Sequence, residues 1–463
     1  MDCKAALERL DEEISSIKNT DAKNRLLALF DEGTILELDK FTKNGSDPSS
    51  VYTAYGLVGG SPCYAFSQDI SVCYGAMGKM QAKKIKRVFD LAVENGIPLV
   101  GIYDSNGGQV SEGVEALEAY SELISSAAKL SGVVPMISVI SGTCIGSSAV
   151  LASLADFIIL TKDSEFYVNS PKILENSDSL AGTAENAFNN GTASLLAENV
   201  EEALCLVQNL FTYLPQNNLA VAPFVDYVPA AAFDNSTVDA VISSIVDGES
   251  FFELKKAFAT DIKIGFARMC GNSIGIVATA SEDSYISASG SKKAANFVRL
   301  CDAFSIPIVT LVDCKGFLGK IENELAGDVK AVASLTHAYA EATTPKISII
   351  TGYAIGAGFI ALAGRASGAD SVLAWPCSKI GTLEPCAAVQ LLYKDALAEG
   401  KSREELEKDY EDNECSPFVA AAEGFIDDVI KPEETALKVI KLLEMLSGKR
   451  VNTLSKKHSN MPL

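Results

Sequence analysis

The sequence predicts an α/β protein built from two homologous halves in tandem, preceded by an N-terminal helical arm. Two observations support this prediction. The chain repeats itself at a separation of about 210 residues, and within each half short apolar strands alternate with helices. Such alternation is typical of a largely parallel sheet. A chain of 463 residues is also too long for one ordinary core.

The repeat is clearest around two strands and a glycine turn. "FDLAVENGIPLVGIYDSNGG" parallels "VRLCDAFSIPIVTLVDCKGF", so that Pro98 matches Pro307 and Asp104 matches Asp313, each pair 209 residues apart. Further on, "VPMISVISGTCIGSSAV" parallels "TPKISIITGYAIGAGFI" at a separation of 210 residues. A period this long excludes a solenoid and favours two homologous domains.

The elements of the first half follow from its apolar periodicity. It predicts a helix in "KKIKRVFDLAV", a strand in "PLVGIYD", a helix in "VEALEAYSELISSAAKLS", a strand in "PMISVIS" and a helix in "SSAVLASLA". The segment "YLPQNN" and the prolines after it predict the connection between the halves. The predicted boundaries are an arm at 1–44, a first domain at 45–235 and a second at 250–455.

Composition excludes several classes of function. A net charge of −21 should repel nucleic acids and anionic membranes. The eleven cysteines form no CxxC pair, which predicts free thiols in a reducing cytosol and no zinc site. The start of the chain is acidic and helical without an apolar centre, so we expect no signal peptide and a cytoplasmic protein. With only two histidines, an enzyme of this sequence should need neither a metal nor a histidine base.

One nearly uncharged window, 133–155, is long enough to cross a bilayer, for which about 20 residues suffice. Pro135 and the turn between Gly142 and Gly146 divide this window into a strand and a helix. We therefore predict a buried strand–turn–helix unit, and a membrane span is the weaker alternative.

A glycine turn that opens a helix can do chemistry. Helix N-termini carry unpaired N–H groups, and glycine lets a ligand oxygen approach them closely, so such a turn can form an oxyanion hole. The alternative is that the glycines only permit close helix–strand packing. The turn occurs twice, each time after a strand end of the form D-x-x-G, which favours the functional interpretation.

Two oxyanion holes suit one reaction in particular. When a carboxyl group moves between biotin and a thioester, negative charge develops on the thioester oxygen and on the biotin carbonyl. The biotin nitrogen can accept the substrate α-proton, so no protein base is required. The scarcity of histidine is consistent with this chemistry.

The chain resembles, nearly end to end, the carboxyltransferase subunits of biotin-dependent acyl-CoA carboxylases and decarboxylases of the propionyl-CoA carboxylase β type. The resemblance rests on segments in a fixed order. They include "AKNRLLALFDEGTILELDKF", "GSPCYAFSQDISVCYGAMGKM", "YDSNGGQVSEGVEAL", "FFELKKAFATDIKIGFARMCGNSIGIVA", "AYAEATTPKISIITGYAIGAG" and the ending "KKHSNMPL".

The resemblance implies a crotonase-like fold (a ββα superhelix) in each half, with acyl-CoA on the first domain and biotin on the second. It also implies a homo-hexamer whose active sites are shared between subunits. The family's oxyanion holes fall on Gly146 and Ser147, and on Ala357 and Gly358 after Gly356. The remaining candidates are the strand-end residues Gly107, Gly108, Gly316 and Phe317 as catalytic residues, and Ile145 and Ile360 as substrate-binding residues.

Several departures from the family pattern concern substrate choice and activity. Ser147 replaces a glycine, and Gln109 replaces an arginine after the first strand. After Phe317 the family's proline-glycine and arginine are missing, and "TLEPCAAV" (382–389) replaces a Met-Gly-Ala-Glu-Gly run. The segment 176–194 has lost paired histidines.

The sequence also indicates what partners must supply. "AMGKM" resembles a biotin attachment sequence, but Gly78 interrupts it, so we expect biotin to arrive on a carrier protein. No ATP-binding motif is present, so in a carboxylase another subunit, a biotin carboxylase, should load the carboxyl group. In a decarboxylase the partner that receives it should instead be a membrane subunit. A basic cluster at 83–87 is either a solvated helix face or a contact for CoA phosphates. A non-catalytic acyl-CoA-binding or scaffold subunit stays open as an alternative function.

Overall fold

The structure is a computed structural model that describes residues 3–17, 19–44, 47–169, 180–319, 321–325, 327–452 and 454–462. The chain divides into two compact units, Met1–Val221 and Ala222–Leu463. Each unit contains an eight-stranded sheet with helices packed against it. The predicted α/β class with two largely parallel sheets is confirmed.

The first unit begins with the predicted arm. Its helices are α1 (Cys3–Ser16), α2 (Asp21–Leu29), α3 (Lys79–Asn95), α4 (Val114–Leu130), α5 (Ser147–Ala152), α6 (Ala184–Asn189) and α7 (Val200–Phe211). Its strands are β1 (Leu36–Leu38), β2 (Lys43–Asn44), β3 (Asp47–Pro48), β4 (Val51–Val58), β5 (Ser61–Gln68), β6 (Leu99–Ser105), β7 (Met136–Ile145), β8 (Phe157–Thr161), β9 (Glu165–Tyr167) and β10 (Leu195–Ala197).

The second unit repeats this plan and adds helices at its end. Its helices are α8 (Val238–Ile245), α9 (Ala288–Ala303), α10 (Ile321–Leu325), α11 (Asp328–Glu341), α12 (Ala357–Leu362), α13 (Pro385–Leu392), α14 (Lys394–Ala398), α15 (Arg403–Asn413), α16 (Pro417–Ala422) and α17 (Thr435–Leu446). Its strands are β11 (Phe252–Leu254), β12 (Ile262–Met269), β13 (Asn272–Thr279), β14 (Tyr285–Ile286), β15 (Ile308–Cys314), β16 (Gly316–Phe317), β17 (Lys346–Ile355), β18 (Ser371–Ala374), β19 (Lys379–Gly381) and β20 (Asp428–Val429).

The two sheets have the same topology. The strand order is β1-β4-β5-β6-β7-β8-β10 in the first unit and β11-β12-β13-β15-β17-β18-β20 in the second. The strands at the start of each sheet pair antiparallel, and those from β5 or β13 onward pair parallel. Strand β6 is buried along its whole length, as expected for a parallel strand covered on both faces.

One strand in each sheet changes its neighbour halfway along. Strand β7 pairs with β8 through Ile137–Ile140 and then with β9 through Thr143–Ile145. Strand β17 pairs in the same way, first with β18 and then with β19. In both sheets the preceding strand bulges beside the change, between Tyr103 and Ser105 and between Val312 and Cys314. The bulge and the change of neighbour bend the end of the strand away from the main sheet.

Helices that flank the parallel strands form the cores. Phe89 of α3 and Leu123 of α4 are buried with Phe66 of β5 in the first unit. The second core includes Ile349 of β17 and Ile242 of α8. Helix α8 lies in the stretch that the predicted boundaries leave between the domains, and it belongs to the second unit.

The uncharged window 133–155 forms β7, the glycine turn and α5, as predicted. No helix in the described part of the chain is long and apolar enough to cross a membrane.

Candidate active site

The turn between β7 and α5 has a backbone that only glycine adopts readily. Gly146 has φ 59° and ψ −129°, in the region where L side chains are strained. Its N–H donates to the carbonyl of Tyr167 in β9, at 3.0 Å. The amide of Gly146 therefore already has an acceptor, so in this structure it is not a free oxyanion donor.

The amides that follow Gly146 are available. Ser147 is the first residue of α5, and within the described residues its N–H has no acceptor. Ser148 and Ala149 likewise begin the helix without an N–H acceptor in the part of the chain that is described. The first turn of a helix leaves such groups unpaired and facing out along the axis. Of the two residues predicted for the first hole, only Ser147 therefore has an amide without an acceptor in the described chain, while Gly146 supplies the conformation.

The strand-end loop lies beside this turn. A Cβ placed on Gly107 would be 3.4 Å from the carbonyl oxygen of Ile145, the last residue of β7. Met77 holds the loop from the other side: its N–H donates to Gly107 and its carbonyl accepts from Gln109, each at 2.8 Å. The N–H of Gly108, between these two bonds, has no acceptor among the described residues. The first unit thus brings two predicted elements together, and each of them has at least one amide without an acceptor in the described chain, Gly108 in the loop and Ser147 in the turn.

The second unit repeats the turn. Gly356 has φ 52° and ψ −124°, and its N–H donates to Gly381 of β19 at 2.9 Å. Ala357 then begins α12, and its N–H has no acceptor in the described chain. A Cβ on Gly358 would lie 2.5 Å from the Cys314 sulfur, so only glycine fits there. Here too the free donor follows the positive-φ glycine.

The strand-end loop of the second unit is also equivalent. Gly316 and Phe317 form β16, which pairs with β14 so that Phe317 lies opposite Ile286. Leu318 donates to the Ile286 carbonyl at 2.9 Å. Phe317 and Ile286 stand 209 positions after Gly108 and Met77, which also pair with each other in a parallel bridge.

Equivalent aspartates connect the loop to the turn in both units, and Asp104 is buried while Asp313 is partly buried. The Asp104 carboxylate accepts from the N–H of Thr143 at 3.3 Å and from Arg25 of α2 at 2.9 Å. Asp313 accepts from the N–H of Tyr353 at 2.8 Å and from the Ser284 hydroxyl at 3.0 Å. Each carboxylate therefore links the end of its own strand, β6 or β15, to the strand that carries the glycine turn, β7 or β17.

Glycine makes room for each aspartate. A Cβ on Gly142 or on Gly352 would lie 2.3 Å from an oxygen of Asp104 or Asp313, respectively. The sequence showed these aspartates and glycines as repeated positions without assigning them a role. The D-x-x-G repeat was the signal that could have found the contact. Arg25, which is 79 residues from its partner, gave no signal.

Two buried thiols lie next to the turns. Burial raises the pKa of Cys144 to about 12, and burial also raises the pKa of Cys314 to about 12. Both thiols are therefore protonated at neutral pH and are poor nucleophiles. The chemistry available at these turns is hydrogen bonding by main-chain amides.

The predicted substrate-binding residues lie at the same turns. Ile145 is partly buried and precedes Gly146. Ile360 is on α12 with 53% of its surface exposed. The role of both in acyl-chain selection stays a prediction.

The departures from the family pattern have structural partners. Gln109 donates to the Ser111 hydroxyl at 3.2 Å. Glu112 accepts from the Lys79 amide at 2.7 Å and thereby caps the start of α3. The segment 382–389 leads into α13. Of the segment that lost paired histidines, 176–179 lies outside the described residues.

Two of the four basic residues at 83–87 are paired with carboxylates, and a third is buried. Lys84 is buried and donates to the Val51 carbonyl at 2.7 Å. Lys86 pairs with Asp90, and Arg87 pairs with Asp39. These contacts favour a structural, solvated helix face over a phosphate site. All eleven cysteines are free thiols, as predicted.

Two units with largely parallel sheets, each with a glycine turn followed by an amide that lacks an acceptor in the described chain, fit the class of acyl-CoA carboxyltransferases with a crotonase-like fold, and comparison with known proteins shows that class. A family model described as "Carboxyl transferase domain" matches residues 22–461, and the chain belongs to this family. The methylmalonyl-CoA decarboxylase subunit alpha of Veillonella parvula is 36% identical over 477 residues, covering 96% of this chain and 93% of that protein. The propionyl-CoA carboxylase beta chain of Saccharopolyspora erythraea is 35% identical over 495 residues, with coverages of 96% and 90%.

Among solved structures, the chain is similar to the 12S subunit of transcarboxylase, described as a hexamer with methylmalonyl-coenzyme A and methylmalonic acid bound. The TM-score is 0.89 at 34% identity, covering 98% of this chain and 95% of that one. The predicted family, fold and class of enzyme, a biotin-dependent acyl-CoA carboxyltransferase, are confirmed by these likenesses.

Proposed function

We propose that this chain moves a carboxyl group between carboxybiotin, held on a separate carrier protein, and the α carbon of an acyl-CoA. The first unit serves the thioester and the second unit serves biotin, as the family resemblance implies. The observation that best supports the proposal is the duplication of one arrangement: a positive-φ glycine whose N–H is used by a neighbouring strand, followed by a helix whose first amide has no acceptor in the described chain.

The residues fit the oxygens that must be stabilised. In the first unit the amides of Gly108 and Ser147 would donate to the thioester oxygen as it becomes an enolate. In the second unit the amides of Phe317 and Ala357 would donate to the ureido oxygen. Biotin, when bound, supplies the nitrogen that carries the carboxyl group and accepts the α-proton. The chain's own part is to orient both partners and to stabilise charge with fixed donors.

A short acyl-CoA is the substrate class we favour, because the relatives' names specify methylmalonyl-CoA and propionyl-CoA. We also propose a homo-hexamer, because the transcarboxylase relative is described as one. The carboxyl group would come from, or go to, a biotin carboxylase or a membrane decarboxylase subunit through the carrier.

The test uses free biotin as the acceptor. The purified chain is incubated with malonyl-, methylmalonyl- or glutaconyl-CoA, and the decarboxylated thioester is measured with and without biotin. Biotin-dependent turnover with methylmalonyl-CoA supports the proposal. Binding of CoA esters without turnover of any of the three would instead support the second candidate, a non-catalytic acyl-CoA-binding or scaffold subunit.

The second candidate is favoured by specific departures. Gln109, in place of the family's arginine, is bonded to Ser111 within its own loop. The variant Ala357→Pro distinguishes the two candidates. If the chain is an enzyme, the variant should lose the biotin-dependent turnover that the wild type shows. If the chain is a scaffold, neither protein should turn over, and both should bind immobilised biotinylated carrier protein with the same affinity.

A further inference from the structure

A hydrogen bond across the second unit connects two segments that are far apart in sequence. The hydroxyl of Tyr285 donates to the carboxylate of Glu384, and the two residues are 99 positions apart. Both side chains are only partly buried, so each stands at a surface and not in the core.

At one end of this bond is the strand-end loop. Tyr285 forms β14, and it lies opposite Gly316 of β16 in a parallel pair. A Cβ placed on Gly316 would lie 3.9 Å from the Tyr285 ring. The ring of Tyr285 therefore packs along the loop that carries Gly316 and Phe317.

At the other end is the segment that anchors the glycine turn. Gly381 of β19 accepts the N–H of Gly356. The next carbonyl, that of Thr382, lies 3.1 Å from the position of a Cβ on Gly356. Glu384 follows two residues later and is the N-cap of α13. A movement of Glu384 would therefore be transmitted to the turn that leads into Ala357.

The described part of the first unit has no counterpart of this bond. Its residue equivalent to Tyr285 is Ala76, which precedes Met77 just as Tyr285 precedes Ile286. The hydrogen bond to Glu384 raises the pKa of Tyr285 to about 12, so the phenol remains a donor across the physiological range. The donor of this bond therefore has no equivalent in the first half, where alanine occupies its position.

We propose that Tyr285 and Glu384 are positioning residues for the second oxyanion hole: their bond fixes the Gly316–Phe317 loop at a set distance from the Gly356–Ala357 turn. This inference rests on the proposed function, in which the second unit serves biotin. It also assigns a role to the segment "TLEPCAAV", whose departure from the family pattern raised doubt about activity. Glu384 belongs to that segment, and its hydrogen bond to Tyr285 connects the two donor loops.

The experiment compares Tyr285→Phe, Glu384→Ala and Glu384→Gln in the full chain. With methylmalonyl-CoA and free biotin, Tyr285→Phe and Glu384→Ala should lower kcat/KM for biotin by about tenfold or more, because a hydrogen bond to a charged group is lost. KM for methylmalonyl-CoA should stay within about twofold. Glu384→Gln keeps an acceptor and should recover most of the loss, and the double variant Tyr285→Phe/Glu384→Ala should be no worse than either single variant.

A matched control is Tyr339→Phe. Tyr339 makes a buried hydrogen bond with Thr310 at 2.7 Å in the same unit, so its loss tests the general cost of removing a tyrosine hydroxyl. Tyr339→Phe should lower stability without separating the two KM values. Additive losses in the double variant, or an equal rise of both KM values in Tyr285→Phe, would overturn the proposal.

Hydrogen exchange gives a second readout that needs no turnover. In Tyr285→Phe, amide exchange should increase in 314–318 and in 381–386 but not in 141–149 of the first unit. Unchanged exchange in both segments would refute the positioning role even if activity fell. If Tyr285→Phe increases exchange in both segments but the wild-type chain shows no biotin-dependent turnover, the proposed function is refuted and the positioning role is not.

Discussion

Replacing Ser147 by proline is the most direct test of the first oxyanion hole. Ser147 occupies the first position of α5, where proline is well tolerated because the N–H there has no intrahelical partner. In the described chain that N–H also has no other acceptor. The substitution therefore removes one donor from the proposed site and no hydrogen bond from the fold.

The expected magnitude follows from this separation. Loss of one oxyanion donor typically lowers kcat by about 100- to 1,000-fold, or roughly 3–4 kcal/mol of transition-state stabilisation. The free energy of unfolding should change by less than about 1 kcal/mol, since no hydrogen bond within the fold is broken. The assay is biotin-dependent decarboxylation of methylmalonyl-CoA, measured beside urea unfolding of the same preparation.

Two further variants make the result specific. Ser147→Ala keeps the N–H and should retain near-normal kcat. Gly146→Pro removes the hydrogen bond to Tyr167 and places proline at φ 59°. Its unfolding free energy should fall by about 3 kcal/mol or more, so a loss of activity in this variant would not be informative. A folded Ser147→Pro protein with kcat within about threefold of wild type would refute the donor assignment.

Three other substitutions test features of the fold. Gly358→Ala should lower unfolding free energy by about 1–3 kcal/mol in urea titrations, because its Cβ would meet the Cys314 sulfur, whereas Gly319→Ala, with open space around it, should be neutral. Asp104→Asn should cost about 3–5 kcal/mol because it leaves partly buried Arg25 unpaired; an equal stability to wild type would contradict this. Burial raises the pKa of Asp156 from 3.8 to about 7, so its stabilising contribution is complete below about pH 4 and is lost as the pH rises through 7. The unfolding free energy of Asp156→Asn should therefore rise relative to that of wild type as the pH increases, by up to about 4 kcal/mol between pH 4 and pH 8. A difference between the two proteins that does not change with pH would show the pKa assignment to be wrong.

The sequence was sufficient to predict the α/β class and the repeated turn. Pro98 and Pro307 stand immediately before equivalent strands, and the glycines that follow keep a separation of 209 or 210 residues, so register alone located both turns. Glycine at positive φ is a local requirement, and local requirements are visible in a sequence.

The acceptor of the Gly146 amide could not be predicted in this way. Strand β9 has only three residues, "EFY", too few to show a period, so nothing indicated that Tyr167 would pair with the end of β7. The prediction therefore placed the donor on the pair Gly146–Ser147 without separating them. The bond between Tyr285 and Glu384 joins two irregular segments and likewise depends on tertiary structure.

The change of neighbour by β7 and β17 has a consequence for how this molecule could acquire new substrates. Each glycine turn is held by a short strand, β9 or β19, which pairs with the end of β7 or β17 and lies off the main strand order of its sheet. Substitutions within either short strand would act on one turn and leave the pairing of the other strands in both sheets in place. Because each half has its own short strand, the sites proposed for the thioester and for biotin can change independently, one half at a time.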